Sequence, residues 1–263
     1  MNGFLKSILA RKRDEVQSEK HRVTVEELRD RPLYSESRRS LRAALRFDAC
    51  AIIAEVKKAS PSKGILRHVF DHKEIADKYV RGGASALSVL TDREYFQGDR
   101  SYLEDVRKNC TVPILRKDFI IDPYQLVESK AYGADAVLLI VAALAPQQLQ
   151  ELYGMSCTLG LESLVEVHSE EEISRLAGIN ASIVGVNNRN LDSFETDLQN
   201  SIRLRPLLPD GVVAVSESGI ASADNVRELA SNGYDAVLIG EMFMKSKDPG
   251  LALKRLKEEL RYA

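Results

Sequence analysis

The stretch "ILRKDFIID", residues 114 to 122, sets Arg116, Lys117 and Asp118 between two apolar runs, where a buried strand would otherwise continue. An unpaired buried ammonium either costs several kcal/mol or gives up its proton. Partly desolvated at a strand end, a lysine can keep a proton ready for donation or lose it and act as a base. A side chain snorkelling to solvent, or paired with Asp118, is the purely structural alternative. Other apolar runs end in groups of the same kind. Glu55 and Lys57 follow one run, Glu166 another, Asn187 and Arg189 a third, Glu217, Ser218 and Gly219 a fourth, and Gly240 and Glu241 the last. Glu55 and Lys57 are two apart on one strand and so face the same way, where a structural ion pair is the alternative to chemistry. Lysines and glutamates held together shift one another's pKa values, so that one group is acid while another is base.

Something must bring these strand ends together. Eight short runs rich in Val, Ile and Leu recur after residue 50: "AIIAEV" (51 to 56), "ALSVL" (86 to 90), "VPIL" (112 to 115), "AVLLIV" (136 to 141), "SLVEV" (163 to 167), "SIVGV" (182 to 186), "VVAV" (212 to 215) and "AVLIG" (236 to 240). Few alternate with polar residues, the pattern of strands covered on both faces. Helix starts lie between them: Asp71 with Glu74 and Ser169 with Glu172 at capping-box spacing, Asp122 before Pro123, and Pro146. A weak repeat, "GGASAL" at 82, "YGADAV" at 132 and "NGYDAV" at 232, with "AGINASIV" at 177 as a looser copy, reads as a helix ending on glycine before an even-numbered strand. Paired βα units of this kind predict an α/β fold, a (β/α)8 TIM barrel over residues 51–263, with its active site at the C-terminal ends of the strands. A doubly wound open sheet is the second choice, but no GxGxxG follows the first strand. Residues 1–50 form an N-terminal helical extension packing on the barrel, with Leu5, Ile8, Leu9 and Val16 at roughly helical spacing and Thr24 with Glu27 as another capping box.

"SESGI" (216 to 220) and "LIGEM" (238 to 242) follow strands 7 and 8, where barrels frequently build a phosphate site from backbone N–H groups. Tyr95 and Phe96 after strand 2 either stack on a flat substrate or seal the core. His68 and His72 have the spacing of a helical metal pair, but Asp71 between them reads as an N-cap, so both are expected in solvent and no metal site is assigned. Cys110 ends a helix with nothing nearby to activate its thiol. The 37 basic and 39 acidic side chains nearly cancel, which points away from nucleic acid and anionic membranes as partners. The longest small and apolar run, 136 to 145, is far short of the roughly 20 residues a membrane span needs. Three scattered cysteines, without a CxxC or a secretion signal ahead of them, suggest a reducing, cytoplasmic location.

The segments "IIAEVKKASPSKG", "LSVLTDREYFQG", "PILRKDFIID", "LVEVHSEEE", "VGVNNRNL", "VSESGI" and "LIGEMFM", in this order and spacing, closely resemble the indole-3-glycerol phosphate synthase family of tryptophan biosynthesis. The likeness spans residues 50 to 245, and the N-terminal helices match the extension such enzymes carry. It implies a carbon-carbon lyase whose substrate, the phosphosugar 1-(2-carboxyphenylamino)-1-deoxyribulose 5-phosphate, closes to an indole with loss of carbon dioxide and water. By resemblance Lys117 is the general acid at the ketone oxygen. Lys57, with Asn187 and Arg189, holds the departing carboxylate. Glu166 and the Glu55/Lys57 pair serve the proton transfers of dehydration, and Glu217 stands among the same catalytic group. Phe96, Phe119 and Leu138 line the aromatic pocket, with Leu191 near it. Ser60, Ser218, Gly219, Gly240 and Glu241 form the phosphate site, the last two through backbone N–H groups. Some relatives have serine in place of Glu241, whose carboxylate would repel a phosphate unless it points away. The scheme calls for no cofactor and no metal, and a monomer or weak homo-oligomer is expected. With residue 263 as the last, the phosphoribosylanthranilate isomerase barrel fused to this enzyme in some organisms is not expected here. Two other readings stay open: a Schiff-base barrel such as an aldolase, with Lys117 as nucleophile, and a catalytically silent phosphosugar-binding barrel.

Overall fold

The apolar runs become eight parallel strands in the computed structural model, which describes residues 3–47, 50–190 and 193–261. They are β1 (Ala51–Val56), β2 (Ala86–Leu90), β3 (Ile114–Lys117), β4 (Ala136–Ile140), β5 (Glu162–Val167), β6 (Ile183–Asn187), β7 (Val213–Glu217) and β8 (Ala236–Ile239). Each pairs with its neighbours in the chain, and β1 closes the ring by pairing with both β2 and β8. The result is a (β/α)8 barrel. Burial along whole strands, β1, β2, β4 and β8 among them, explains why the runs do not alternate.

Two strands depart from the expected spans in an instructive way. β3 starts after Pro113, which has no N–H to give a ladder, and runs on through Arg116 and Lys117, paired with Val89 and Leu90. β7 likewise continues through Ser216 to Glu217, beyond its apolar run. Polar residues can stay in a central strand here because each finds partners on its own side of the sheet.

Twelve helices are described: α1 (Gly3–Arg22), α2 (Val25–Arg29) and α3 (Leu41–Leu45) before the barrel, then α4 (His72–Gly82), α5 (Ser101–Arg107), α6 (Pro123–Ala131), α7 (Pro146–Thr158), α8 (Glu170–Ser174), α9 (Gln199–Leu204), α10 (Ala223–Ser231), α11 (Glu241–Met244) and α12 (Pro249–Arg261). Thr24 with Glu27 and Asp122 with Gln125 form reciprocal capping boxes. Asp71 and Ser169 cap α4 and α8 through their side chains. Gly83, Gly133 and Gly233 take φ of 90°, 90° and 86°, the left-handed turn that ends a helix before β2, β4 and β8. The looser copy differs: Gly178 ends a 3-10 turn, Arg175–Gly178. His68 is exposed as expected, but His72 is not. Its ring stacks on Tyr102 at 4.1 Å, and its Nε2 lies 3.0 Å from Asp105.

The N-terminal helices span the barrel from mouth to base. α1 buries Leu5, Ile8 and Leu9 in the barrel's own core at the C-terminal ends of the strands. Buried Lys12 ties it there, its Nζ 2.9 Å from Asp92 and 2.9 Å from Asp118. At the other end, Arg39 N–H donates to Asp135 and Arg42 N–H to Glu162, before β4 and at the start of β5.

Candidate active site

Alternation along β3 sorts its charges. Arg116 turns toward α6, donating to the Gln125 carbonyl and the Ser129 hydroxyl and pairing with Glu128 at 2.8 Å and Asp118 at 3.0 Å. Lys117 turns to the barrel axis, where its Nζ lies 3.3 Å from Glu217 and 3.5 Å from Glu166. Asp118 belongs to Arg116 and Lys12, so the ion pair with Lys117 that the sequence allowed is not the one formed. Lys57, just past β1, forms a short ion pair with Glu55.

Burial alone would drive protons off Lys117, but Glu217, Glu166 and Glu55 outweigh it and hold its pKa well above the ordinary lysine value. Burial pushes the Glu217 carboxyl up to about 7 against the pull of Lys117, with Glu166 and Glu55 adding like-charge repulsion. Glu55 is also buried, yet Lys57, Lys117 and Arg189 hold it below the usual carboxylate range. Two glycines make room for this crowd. A Cβ on Gly185 would sit 2.1 Å from a Glu217 oxygen, and one on Gly240 would sit 2.4 Å from a Glu55 oxygen. Side chains there would displace the carboxylates.

These groups surround a cavity of about 1150 Å³, part of it open to solvent, at the C-terminal mouth. Glu55, Lys57, Lys117, Glu166, Asn187, Arg189 and Glu217 all line it, as do Ser60, Phe96, Phe119, Leu138, Ser218, Gly219, Gly240 and Glu241. Leu191 lies outside the described residues. The Phe96 and Phe119 rings, 6.3 Å apart, form an apolar wall. Ser218 and Gly219 take positive φ, 69° and 80°, in the turn after β7. Arg189 donates to the Ser62 hydroxyl and the Phe194 carbonyl, while its own N–H bonds to Asn187 Oδ1. The Glu241 carboxylate takes Lys245 at 2.6 Å and lies 3.6 Å from Arg189, so it is turned to cations of its own.

Sequence reasoning placed the N-terminal helices on the barrel but assigned none of their residues to the site. Phe4, Leu5 and Ile8 line the cavity from α1, and Ser62, Asp92 and Phe194 complete its rim. The helical spacing of Leu5 and Ile8 was visible, but not the surface it would meet. Among the described residues no cluster of three or more His, Cys, Asp or Glu side chains is placed to hold a metal ion. Burial raises the Cys110 thiol pKa, so that thiol is not activated.

A sequence profile described as indole-3-glycerol phosphate synthase matches residues 5–256. The chain belongs to the indole-3-glycerol phosphate synthase family. It is 46% identical over 260 residues to the indole-3-glycerol phosphate synthase of Chromobacterium violaceum, covering 97% of this chain and 98% of that protein. The like-named protein of Bordetella pertussis is 45% identical over 260 residues, covering 97% and 99%. Family membership brings the activity: synthesis of indole-3-glycerol phosphate, a lyase step of tryptophan biosynthesis. Among solved structures, 3-hexulose-6-phosphate synthase from Salmonella typhimurium matches with a TM-score of 0.64 at 14% identity, covering 81% of this chain and 99% of that one. Thiamine phosphate pyrophosphorylase from Pyrococcus furiosus matches at 0.59 and 16%, covering 85% and 98%. At these identities the likeness is one of fold. No helix among the described residues is long and apolar enough to cross a membrane.

Proposed function

We propose that Lys117 is the general acid of ring closure in this synthase. The supporting observation is its place at the barrel mouth between Glu166 and Glu217. Three carboxylates hold its pKa up against burial, so it keeps its proton until an oxygen of rising basicity arrives. A Schiff-base lysine needs the opposite, a free lone pair and a depressed pKa, which disfavours the aldolase reading. As the aromatic carbon bearing the carboxylate attacks the ketone, the ketone oxygen takes the Lys117 proton. Lys57 and Arg189 hold the carboxylate, with Asn187 orienting the Arg189 backbone, until carbon dioxide departs and the ring regains aromaticity. Loss of water then needs one group to protonate the hydroxyl and another to take a carbon-bound proton. Glu166 and the Glu55/Lys57 pair are proposed for these transfers, with Glu217, poised near neutrality, able to hold or release a proton beside Lys117.

Phe96, Phe119 and Leu138 would clasp the anthranilate ring, with Leu191 nearby. Ser60, Ser218 and Gly219 would bind the phosphate together with the Gly240 and Glu241 backbone N–H groups. In this scheme residues 1–50 roof the site and residues 51–263 carry the chemistry. We place the chain in the cytoplasm as a monomer or weak homo-oligomer, with a small phosphosugar rather than nucleic acid or membrane as its partner. The test uses a property of the chain itself, which has no tryptophan and therefore little emission of its own. Purified protein given carboxyphenylamino-deoxyribulose phosphate should develop indole fluorescence, and borohydride should trap no substrate on Lys117. A flat trace, or a trapped adduct, would overturn the proposal.

A further inference from the structure

We infer that His168 and Glu172 form a proton relay behind Glu166, through which the catalytic carboxylates and Lys117 are recharged from solvent during each turnover. The inference rests on the ring-closure reading, because that chemistry leaves a proton to be supplied. One C–C bond forms between the aromatic carbon and the ketone carbon. The bond to the carboxylate breaks as carbon dioxide leaves, its electron pair restoring the ring. A C–O bond then breaks to release water, and a carbon-bound proton is removed. Two protons are given, to the ketone oxygen and to the leaving hydroxyl, and one is returned from carbon. Each turnover therefore takes one proton from outside.

Lys117 reaches solvent through the cavity, the route that a bound substrate would block. Behind it, Glu166 and Glu217 are 2% and 1% exposed at the side chain. His168 sits two residues past Glu166, with its Nε2 3.5 Å from Glu166 Oε1 and its Nδ1 3.3 Å from Glu172 Oε2. The same Glu172 oxygen accepts the His168 backbone N–H at 2.8 Å, and Asn200 on α9 donates to the His168 carbonyl, so the ring's attachment is fixed from both sides. Nε2 itself is buried and has no hydrogen-bond partner within normal reach, although it faces the Glu166 carboxylate. That nitrogen is spare hydrogen-bonding capacity aimed at the Glu166 carboxylate. Glu172 is 17% exposed at the first turn of α8 and meets solvent. A proton taken at Nδ1 as another leaves Nε2 carries charge from Glu172 to Glu166, and from there to Lys117. The charged groups acting on the ring are Glu166 from the end of β5, Glu172 from α8 and Glu217 from β7. Together they raise its pKa above the usual histidine value despite burial.

His168 is thus a positioning and relay residue that acts through Glu166. His168→Asn and Glu172→Gln, assayed separately at low buffer concentration, should leave the first turnover and KM within about twofold of wild type while steady-state kcat falls about tenfold. Added imidazole, partly protonated near neutral pH, should restore kcat by delivering the proton directly. Steady-state kcat within about twofold of wild type in both variants would overturn the relay. So would a first turnover that falls as far as kcat, since that marks damaged geometry rather than slow recharging. If His168→Asn does not fold, Glu172→Gln decides alone, because it leaves the imidazole in place. A wild-type protein that makes no indole refutes the functional reading itself, a result distinct from an active wild type with unaltered variants.

Discussion

Replacing Glu217 by glutamine should make the protein less active and more stable, with a stability gain that begins above about pH 4.5 and is complete above about pH 7. The carboxylate is fully buried beside Glu166 and Glu55, and burial with like-charge repulsion moves its pKa from the usual value near 4.5 to about 7, even with Lys117 3.3 Å away. Because the folded-state pKa is the higher one, the protonated group's stabilising contribution is complete below about pH 4.5 and is lost as pH rises through about 7. Each tenfold change in proton affinity corresponds to about 1.4 kcal/mol, so ionised Glu217 costs the fold about 3 kcal/mol at pH 8. Glutamine has nearly the same shape and fits the space left by Gly185. Urea denaturation of wild type and Glu217→Gln should give equal stabilities at pH 4.5 and a gain of about 2 to 3 kcal/mol for the variant at pH 8. In thermal scans at pH 8 the gain should appear as a rise of several degrees, at about 2 to 4 °C per kcal/mol for a protein of this size. A variant no more stable than wild type at pH 8, or one whose gain is the same at both pH values, would show that the site stores no such repulsion.

Three further substitutions probe other parts of the site and its roof. Gly185→Ala places a methyl 2.1 Å from a Glu217 oxygen and should push that carboxylate off Lys117, lowering kcat about a hundredfold in a protein that still folds by circular dichroism. Unchanged kcat would mean that Glu217 need not stand where it does. Arg189→Ala should raise KM about tenfold or more with a smaller effect on kcat, as expected for a cation that holds the substrate carboxylate. A pure kcat loss would move Arg189 into the chemical step. Lys12→Met leaves Asp92 and Asp118 without their shared cation and should destabilise the fold by about 3 to 5 kcal/mol at pH 7 in urea. Lys12 and Arg116 hold the buried Asp118 carboxyl well below the usual range, so its contribution persists above the unfolded pKa and fails only in strong acid. A loss below about 1 kcal/mol would make α1 a passive cover.

The barrel was legible because its strands are buried on both faces, which writes them as uninterrupted apolar runs, and because glycine closes the helices before β2, β4 and β8. The residues just after each run then locate the mouth of the cavity, since every strand points its C-terminal end the same way. Legibility stops where polar residues continue a strand. β3 and β7 run past their apolar parts because Arg116, Lys117 and Glu217 find partners in three dimensions that no local pattern announces. The contacts of the N-terminal helices with the site were hidden for the same reason. Lys12 stands in the sequence among several charges of the first helix, yet it is buried, and only the fold brings Asp92 and Asp118 to it. The partners of His168 are carboxylates, one at the end of β5 and one on α8, and only the fold turns its ring toward both.

The most direct test of the account is turnover by Lys117→Ala, followed through indole emission with substrate binding measured in parallel. The variant should fold, bind the substrate and close the ring at least about a hundredfold more slowly, the scale of a lost general acid. Near-normal turnover in a folded variant would remove Lys117 from the chemistry and leave its place between Glu166 and Glu217 as a structural ion pair.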